Sequence, residues 1–202
     1  PDVERYDYDP QRARELLDEA GFPEPDDGGP RFEIEFKVSA SSFRRSLAQL
    51  IGHQLERVGI EVTVRSYEWG TFYDDIQGRN FEMATMQWPS VLEPSLYTWI
   101  FHSKNIPSAD NRSRGANRGA YENEELDELL DAGETETDRA KRKEIYGRVQ
   151  QILARDLPYV SLWHEDNIVI TAGEVEGYYA TPNARFEGLT SARRIEKNRS
   201  DP

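Results

Sequence analysis

The sequence contains no cysteine, which removes thiolate nucleophiles, cysteine-ligated metals and disulfides together and is compatible with a reducing or an exported location. Long apolar runs are missing too: among 202 residues no uninterrupted stretch of Ala, Val, Ile, Leu, Met, Phe, Trp or Tyr reaches four, whereas a membrane-spanning helix needs roughly 20. Positive charge is short, with 25 Lys and Arg against 38 Asp and Glu and a formal charge of −13. A chain this acidic repels a phosphate backbone, so no nucleic-acid partner is expected. Histidine is scarce, and His53, His102 and His164 show none of the i, i+3 or i, i+4 spacings that bring two ligands to one metal. No Gly-rich phosphate loop follows a strand, no serine sits in a nucleophile elbow, and no carboxylate pair lies in apolar surroundings as glycosidic or proteolytic chemistry requires. We therefore expect no enzyme, no metal and no cofactor.

What is present suits one folded domain, with 37% hydrophobic and 11% aromatic residues for a core and 31% charged residues for its surface. Asp9-Pro10, the segment Gln11 to Ala20 and Gly21 read as a capped helix with a glycine stop. The Pro- and Gly-rich stretch Phe22 to Pro30 reads as a loop. Phe32, Ile34, Phe36 and Val38 then alternate with Arg31, Glu33, Glu35 and Lys37, which predicts a strand with one buried and one wet face. Phe43, Leu47, Leu50, Ile51, Leu55 and Val58 recur at helical spacing up to Gly59, and Ile60, Val62 and Val64 alternate again. This strand–helix–strand order predicts two parallel neighbours. Trp69 to Gln77 reads as a helix stopped by Gly78, and Phe81 to Trp88 as a strand covered on both faces.

From Pro89 to Tyr121 the pattern is irregular apart from a short helix over Ser95 to Phe101, and loops this long are usually functional or disordered. Helices are expected from Glu124 to about Ala132 and from Arg139 to about Arg155, then short strands over Tyr159–Trp163 and Ile168–Ile170. After Leu189 charge dominates, so 190–202 reads as a disordered tail. The architecture is α/β, a mixed sheet of about five strands flanked by helices, with the long middle loop at a cleft edge. Aromatic residues gather near the expected strand ends, and Trp88 stands where a buried strand meets a Pro-containing loop, the place where open α/β sheets bind ligands.

The succession Tyr8-Asp9-Pro10, Ala20-Gly21, Gln54-Leu55, Val58-Gly59-Ile60, Trp69, Phe72, Trp88, Glu93-Pro94, Tyr121, Leu126-Asp127, Leu130, Arg142, Tyr146, Gln150 and Pro158 resembles the C-terminal lobe of the ABC-transporter extracellular solute-binding proteins of family 5, the oligopeptide-, dipeptide- and nickel-binding class. The resemblance runs from about Tyr6 to Leu189. It implies a periplasmic-binding-protein-like lobe over 1–189 of a two-lobed receptor that closes on a peptide or similar small amphipathic solute and hands it to an ABC permease. It also implies a periplasmic or extracellular location, and the N-terminal lobe and permease subunits as partners. The sequence opens at Pro1 with no basic or apolar leader, so a signal peptide or lipid anchor would lie upstream.

By the same resemblance Trp69 and Trp88 match pocket-lining tryptophans, and Thr85 falls where some relatives place a ligand-contacting arginine. The ligand-binding set is completed by Tyr73, Gln87, Ser90, Glu93, Asn117, Arg118, Tyr121 and His164, with Glu93 expected chiefly to shape its loop. Peptide-binding relatives carry an acid shortly after the second tryptophan for the peptide amine, but Pro89-Ser90-Val91-Leu92 supplies none. The amine is then expected at Glu93, Glu165 or Asp166, on the other lobe, or in solvent. Two other functions are compatible with the sequence: a protein-interaction domain using the 89–121 loop, and a peripheral hydrolase.

Overall fold

The computed structural model describes residues 2–88, 93–111, 114–164, 166–181 and 185–195. The chain divides into two units, one of residues 1–87 and 93–159 and the other of 88–92 and 160–202.

In the first unit, helix α1 (Pro10–Glu19) begins as the sequence predicts: the Asp9 carboxylate accepts the N–H groups of Gln11 at 3.0 Å and Arg12 at 2.9 Å, and Pro10 takes the first helical position. Strand β1 (Phe32–Ser39) lies in the middle of a parallel sheet. Strand β2 (Ile60–Tyr67) pairs along its whole length, from Phe32 opposite Ile60 to Ser39 opposite Tyr67. Strand β3 (Met83–Ala84) pairs on the other side, with Phe36 opposite Met83. Helix α2 (Ser42–Glu56) connects β1 to β2, and α3 (Trp69–Gln77) connects β2 to β3. Parallel neighbours require such crossovers. Phe36, Val38 and Ala48 form a buried cluster on which Ile51, Val62, Val64 and Met83 pack.

Two expectations fail here. The stripe predicted to bury α2 is rotated: Phe43 and Leu50 are 55% and 58% exposed, and Ala48 and Gly52 face inward. A Cβ at position 52 would stand 3.3 Å from the Val62 Cβ, so the helix comes close to the sheet through small residues that hydropathy undervalues. The second concerns the face of β1 expected to be wet. Lys37 is only 6% exposed, because α3 covers it. Its ammonium donates to Asp75 Oδ2 at 2.8 Å and to the Asn80 carbonyl at 2.7 Å, and stands 5.5 Å from the Tyr67 ring centroid.

Beyond β3, α4 (Leu96–Phe101) is followed by α5 (Glu124–Thr135) and α6 (Arg139–Asp156), capped by the side chains of Asn123 and Asp138. Leu126, Leu130, Val149 and Ile152 are fully buried, and a Cβ at Gly133 would meet the Tyr146 ring at 2.9 Å. Close approach of these two helices therefore fixes glycine there. Among the described residues of the segment read as a loop between Pro89 and Tyr121, Ile100, Phe101, His102, Ala116, Asn117 and Arg118 are buried, so that part is packed and not an exposed partner surface.

In the second unit β4 (Val175–Glu176) pairs antiparallel with β5 (Arg193–Arg194). The described strands thus form a parallel sheet of three and a separate pair instead of one mixed sheet. No ladder forms among the described residues of 159–163 or 168–170, where strands were expected. Alternation marks a chain able to be a strand, but pairing needs an edge that sequence does not display. Strand β5 also falls inside the stretch expected to be a disordered tail, and Arg194 pairs with Glu174 at 2.8 Å. The remainder of that tail, 196–202, and the segment 89–92 lie outside the described residues. Among the described residues no helix is long and apolar enough to cross a membrane.

The rotated α2 face gives a direct test. Leu130→Ala, at a site with no exposure, is expected to cost about 2–5 kcal/mol, while Leu50→Ala costs under about 1 kcal/mol, read from urea midpoints at constant slope. A large loss for Leu50→Ala would restore the predicted stripe.

The buried pair adds a pH dependence. Lys37 and Asn80 hold the Asp75 carboxyl below its ordinary 3.8. That contribution is complete above 3.8 and disappears as pH falls through the depressed value. Asp75 raises Lys37 above its ordinary 10.5, so the contribution at the alkaline end holds below 10.5 and is lost as pH rises through the elevated value. Asp75→Asn should flatten both limbs of the stability–pH curve; unchanged slopes would show that the pair carries no linkage.

Candidate functional site

All three strands of the first sheet are parallel, so Ser39, Tyr67 and Ala84 end at one edge. That edge is where such sheets present ligands. The chain leaving β2 is capped at once by Glu68, whose Oε2 accepts Gly70 N–H at 2.7 Å, and this starts α3 with Trp69 in its first turn. Trp69 is 56% exposed and stacks on Tyr73 at 5.6 Å between ring centroids, one helical turn further on. Tyr73 is also met by Arg118, with its guanidinium carbon 5.3 Å from the ring centroid and Nη2 3.4 Å from the hydroxyl. Arg118 is buried and its Nη1 also reaches Met86 Sδ at 3.2 Å, just past β3. Cation–π contact favours an arginine held in this way because its planar charge loses less on leaving water than an ammonium does.

The next residues of the same edge meet α2. Arg44 Nη1 donates to Thr85 Oγ1 at 3.4 Å and Nη2 to Gln87 Oε1 at 3.0 Å. Trp69, Tyr73, Thr85, Gln87 and Arg118, all named from sequence, are thus gathered at the strand ends by two guanidinium groups. Arg44 and Met86 were not among the predicted site residues. The available signal for Arg44 was its place in the first turn of a helix that leaves the carboxyl end of a parallel strand.

Other predicted residues are occupied elsewhere. Asn117 is 1% exposed and its amide is used on backbone: Nδ2 donates to the carbonyls of Phe101, His102 and Tyr121, and Oδ1 accepts the Tyr121 N–H. Both atoms of this amide are thus engaged in tying the middle segment together. The Tyr121 hydroxyl donates to Asp156 Oδ2 at 2.5 Å, and burial together with that carboxylate pushes the phenol up to about 12. It secures α6. Glu93 is exposed and pairs with Arg142 of α6 at 3.3 Å, in keeping with a loop-shaping role. Ser103 binds Asp127 through both its amide and its hydroxyl. Lys104 pairs with Asp131 at 2.8 Å, which, with His102, holds that carboxyl below its usual range. These bonds explain why an irregular segment is packed.

Trp88 and His164 belong to the second unit, Trp88 partly buried and His164 exposed. Ser90 and Glu165 lie outside the described residues. Asp166, the remaining candidate for an amine, is exposed on a groove of the second unit lined by Ile168, Tyr178, Thr181 and Phe186 among others.

The family model for bacterial extracellular solute-binding proteins, family 5 Middle, matches residues 1–108. Oligopeptide-binding protein AppA of Bacillus subtilis is 28% identical over 190 residues, covering 90% of this chain and 34% of the relative. Di/tripeptide-binding protein 2 of Pseudomonas aeruginosa is 26% identical over 186 residues, covering 89% of this chain and 33% of the relative. The structure of AppA from Bacillus subtilis in complex with a nonapeptide superposes with a TM-score of 0.84 at 25% identity, over 96% of this chain and 39% of that one. The chain spans about a third of the length of the curated relatives it matches.

Asn117 separates scaffold from site. Asn117→Ala removes the side-chain bonds to three carbonyls and one N–H, of which the His102 carbonyl keeps the Asn105 N–H, and is expected to destabilise by about 2 kcal/mol, with the urea slope retained. A variant of unchanged stability would show that the middle segment does not depend on this tie.

Proposed function

The chain belongs to the bacterial extracellular solute-binding proteins of family 5, and on that premise we propose that it is one lobe of a two-lobed receptor that captures peptides outside the cytoplasmic membrane and delivers them to an ABC permease. The observation that carries this reading is the strand-end edge, where an exposed indole, a tyrosine and two guanidinium groups stand together. Aromatic faces suit the varied side chains of a peptide with little loss of rotamer entropy, and guanidinium groups suit its carboxylates and carbonyls. The edge performs no chemistry of its own in this scheme; it holds and releases. In the second unit Val160, Leu162, Ile168 and Ile170 are exposed, a run that the other lobe of the receptor would cover. Closure of that lobe would supply the rest of the contacts and most of the dehydration.

The peptide amine lacks an acid at 89–92, and Glu93 is already paired with Arg142. Glu165, Asp166 or the other lobe then receives it, or it stays solvated. Native mass spectrometry of the full-length protein, purified without refolding, should show co-purifying peptide masses, and Trp69→Ala should lower peptide affinity about tenfold. A single non-peptidic mass would overturn the peptide assignment, and an unaffected affinity in Trp69→Ala would move the binding wall away from this edge.

A further inference from the structure

An exposed indole serves a ligand well only if its plane is settled beforehand, because a side chain immobilised on binding loses rotamer entropy at that moment. Trp69, 56% exposed in the first turn of α3, has two aromatic neighbours at helical spacing. Phe72, three residues on, lies 5.9 Å away between ring centroids and is 1% exposed, so the core holds it. Tyr73, four residues on, stacks at 5.6 Å with its plane 20° from the indole. Tyr73 is only partly buried, and a distant part of the chain sets its plane.

Arg118, 45 positions further on and 5% exposed, meets Tyr73 at two points: its guanidinium carbon is 5.3 Å from the ring centroid, and Nη2 donates to the hydroxyl at 3.4 Å. Nη1 donates to Met86 Sδ at 3.2 Å, a third contact that fixes the guanidinium plane. A lysine ammonium has no plane and cannot serve a ring, a hydroxyl and a thioether together. The backbone that delivers Arg118 is equally determined. Ala120 N–H donates to the Asn117 carbonyl at 3.3 Å, Asn117 N–H donates to the Asn105 carbonyl at 3.1 Å, and Ala120 is held at a φ of 51°. A non-glycine residue keeps this left-handed conformation only where its surroundings over-determine it. We propose that Arg118 is a positioning residue: through Tyr73 it fixes the Trp69 indole as a shelf that favours peptides bearing an aromatic side chain. This rests on the peptide-receptor reading above. Arg118 adds its charge to the edge, but its geometric effect passes through the ring.

The test uses the full-length protein and two random-sequence pools of peptides three to nine residues long, identical except that one carries Phe, Tyr and Trp where the other carries Leu. Retained peptides are eluted and quantified by mass spectrometry for the wild type, Arg118→Met, Arg118→Lys, Tyr73→Leu and the Arg118→Met, Tyr73→Leu double variant, with thermal unfolding as the folding control. Wild type should retain the aromatic pool about 3- to 10-fold better than the Leu pool. Arg118→Met and Tyr73→Leu should each erase that preference, the double variant should lose no more than either, and Arg118→Lys should restore only part. In receptor labelled with 5-fluorotryptophan, the Trp69 fluorine resonance, identified with Trp69→Phe, should shift in Arg118→Met. A preference untouched in folded Arg118→Met, a further loss when Arg118→Met is added to Tyr73→Leu, an unmoved Trp69 resonance, or equal retention of both pools by the wild type overturns the proposal while leaving peptide binding intact. If Arg118→Met does not fold, Arg118→Lys and Tyr73→Leu decide, and a wild-type preference in both overturns it. Retention of neither pool by the wild type overturns the peptide reading itself and this proposal with it.

Discussion

One buried ammonium group governs the arrangement of the sheet. Lys37 lies on the middle strand, on the face turned to α3, and its pairing with Asp75 and with the carbonyl of Asn80 ties both that helix and the turn after it to β1. A buried ion pair of this kind adds little net stability over an apolar substitute, but it penalises every arrangement in which either partner is left alone. That penalty fixes where α3 sits. Trp69 and Tyr73 stand on the same helix one turn apart, and β3 begins three residues after Asn80, so the pair at the centre of the sheet determines the geometry of its edge.

Acidic side chains are abundant, and the structure uses many of them away from that edge. Asp9, Glu68 and Asp138 cap helices. Asp127 and Asp131 hold the start of the middle segment, and Asp156 joins Tyr121, Asn123 and Arg155 at the end of α6. At the strand ends, Arg44 donates to a hydroxyl and a side-chain amide, and Arg118 meets a thioether and an aromatic ring. A chain carrying −13 overall thus brings two guanidinium groups to one edge of its parallel sheet, an arrangement that suits a negative or dipolar ligand.

Much of the local structure was legible because it is written in short-range chemistry. Asp9-Pro10 starts α1, Gly78 stops α3, and the alternation of Phe32 to Val38 and Ile60 to Val64 becomes the paired strands β1 and β2. The indole at Trp69 and its neighbour Tyr73 were also visible as site candidates. What misled was the assumption that apolar residues are the ones buried. Gly52 and Ala48 face the sheet because they are small, and Phe43 and Leu50 point out although they are large. Lys37 is buried because a partner 38 positions away neutralises it.

The sequence by itself determined the order of elements from α1 to α3 and the two helices α5 and α6, the caps and breakers that bound them, and the absence of thiol chemistry, since caps, breakers and side-chain periods act over a few residues. Only the tertiary structure decided that Asn117 meets backbone carbonyls, that Tyr121 and Glu93 bond to α6, and that Arg44 comes to Thr85 and Gln87 across 41 and 43 positions of chain. Each of those assignments depends on which polar groups meet after folding. Hydrogen bonds and ion pairs are sensitive to a fraction of an ångström, and that distance is set by the packing of whole elements, which no local pattern of residues encodes.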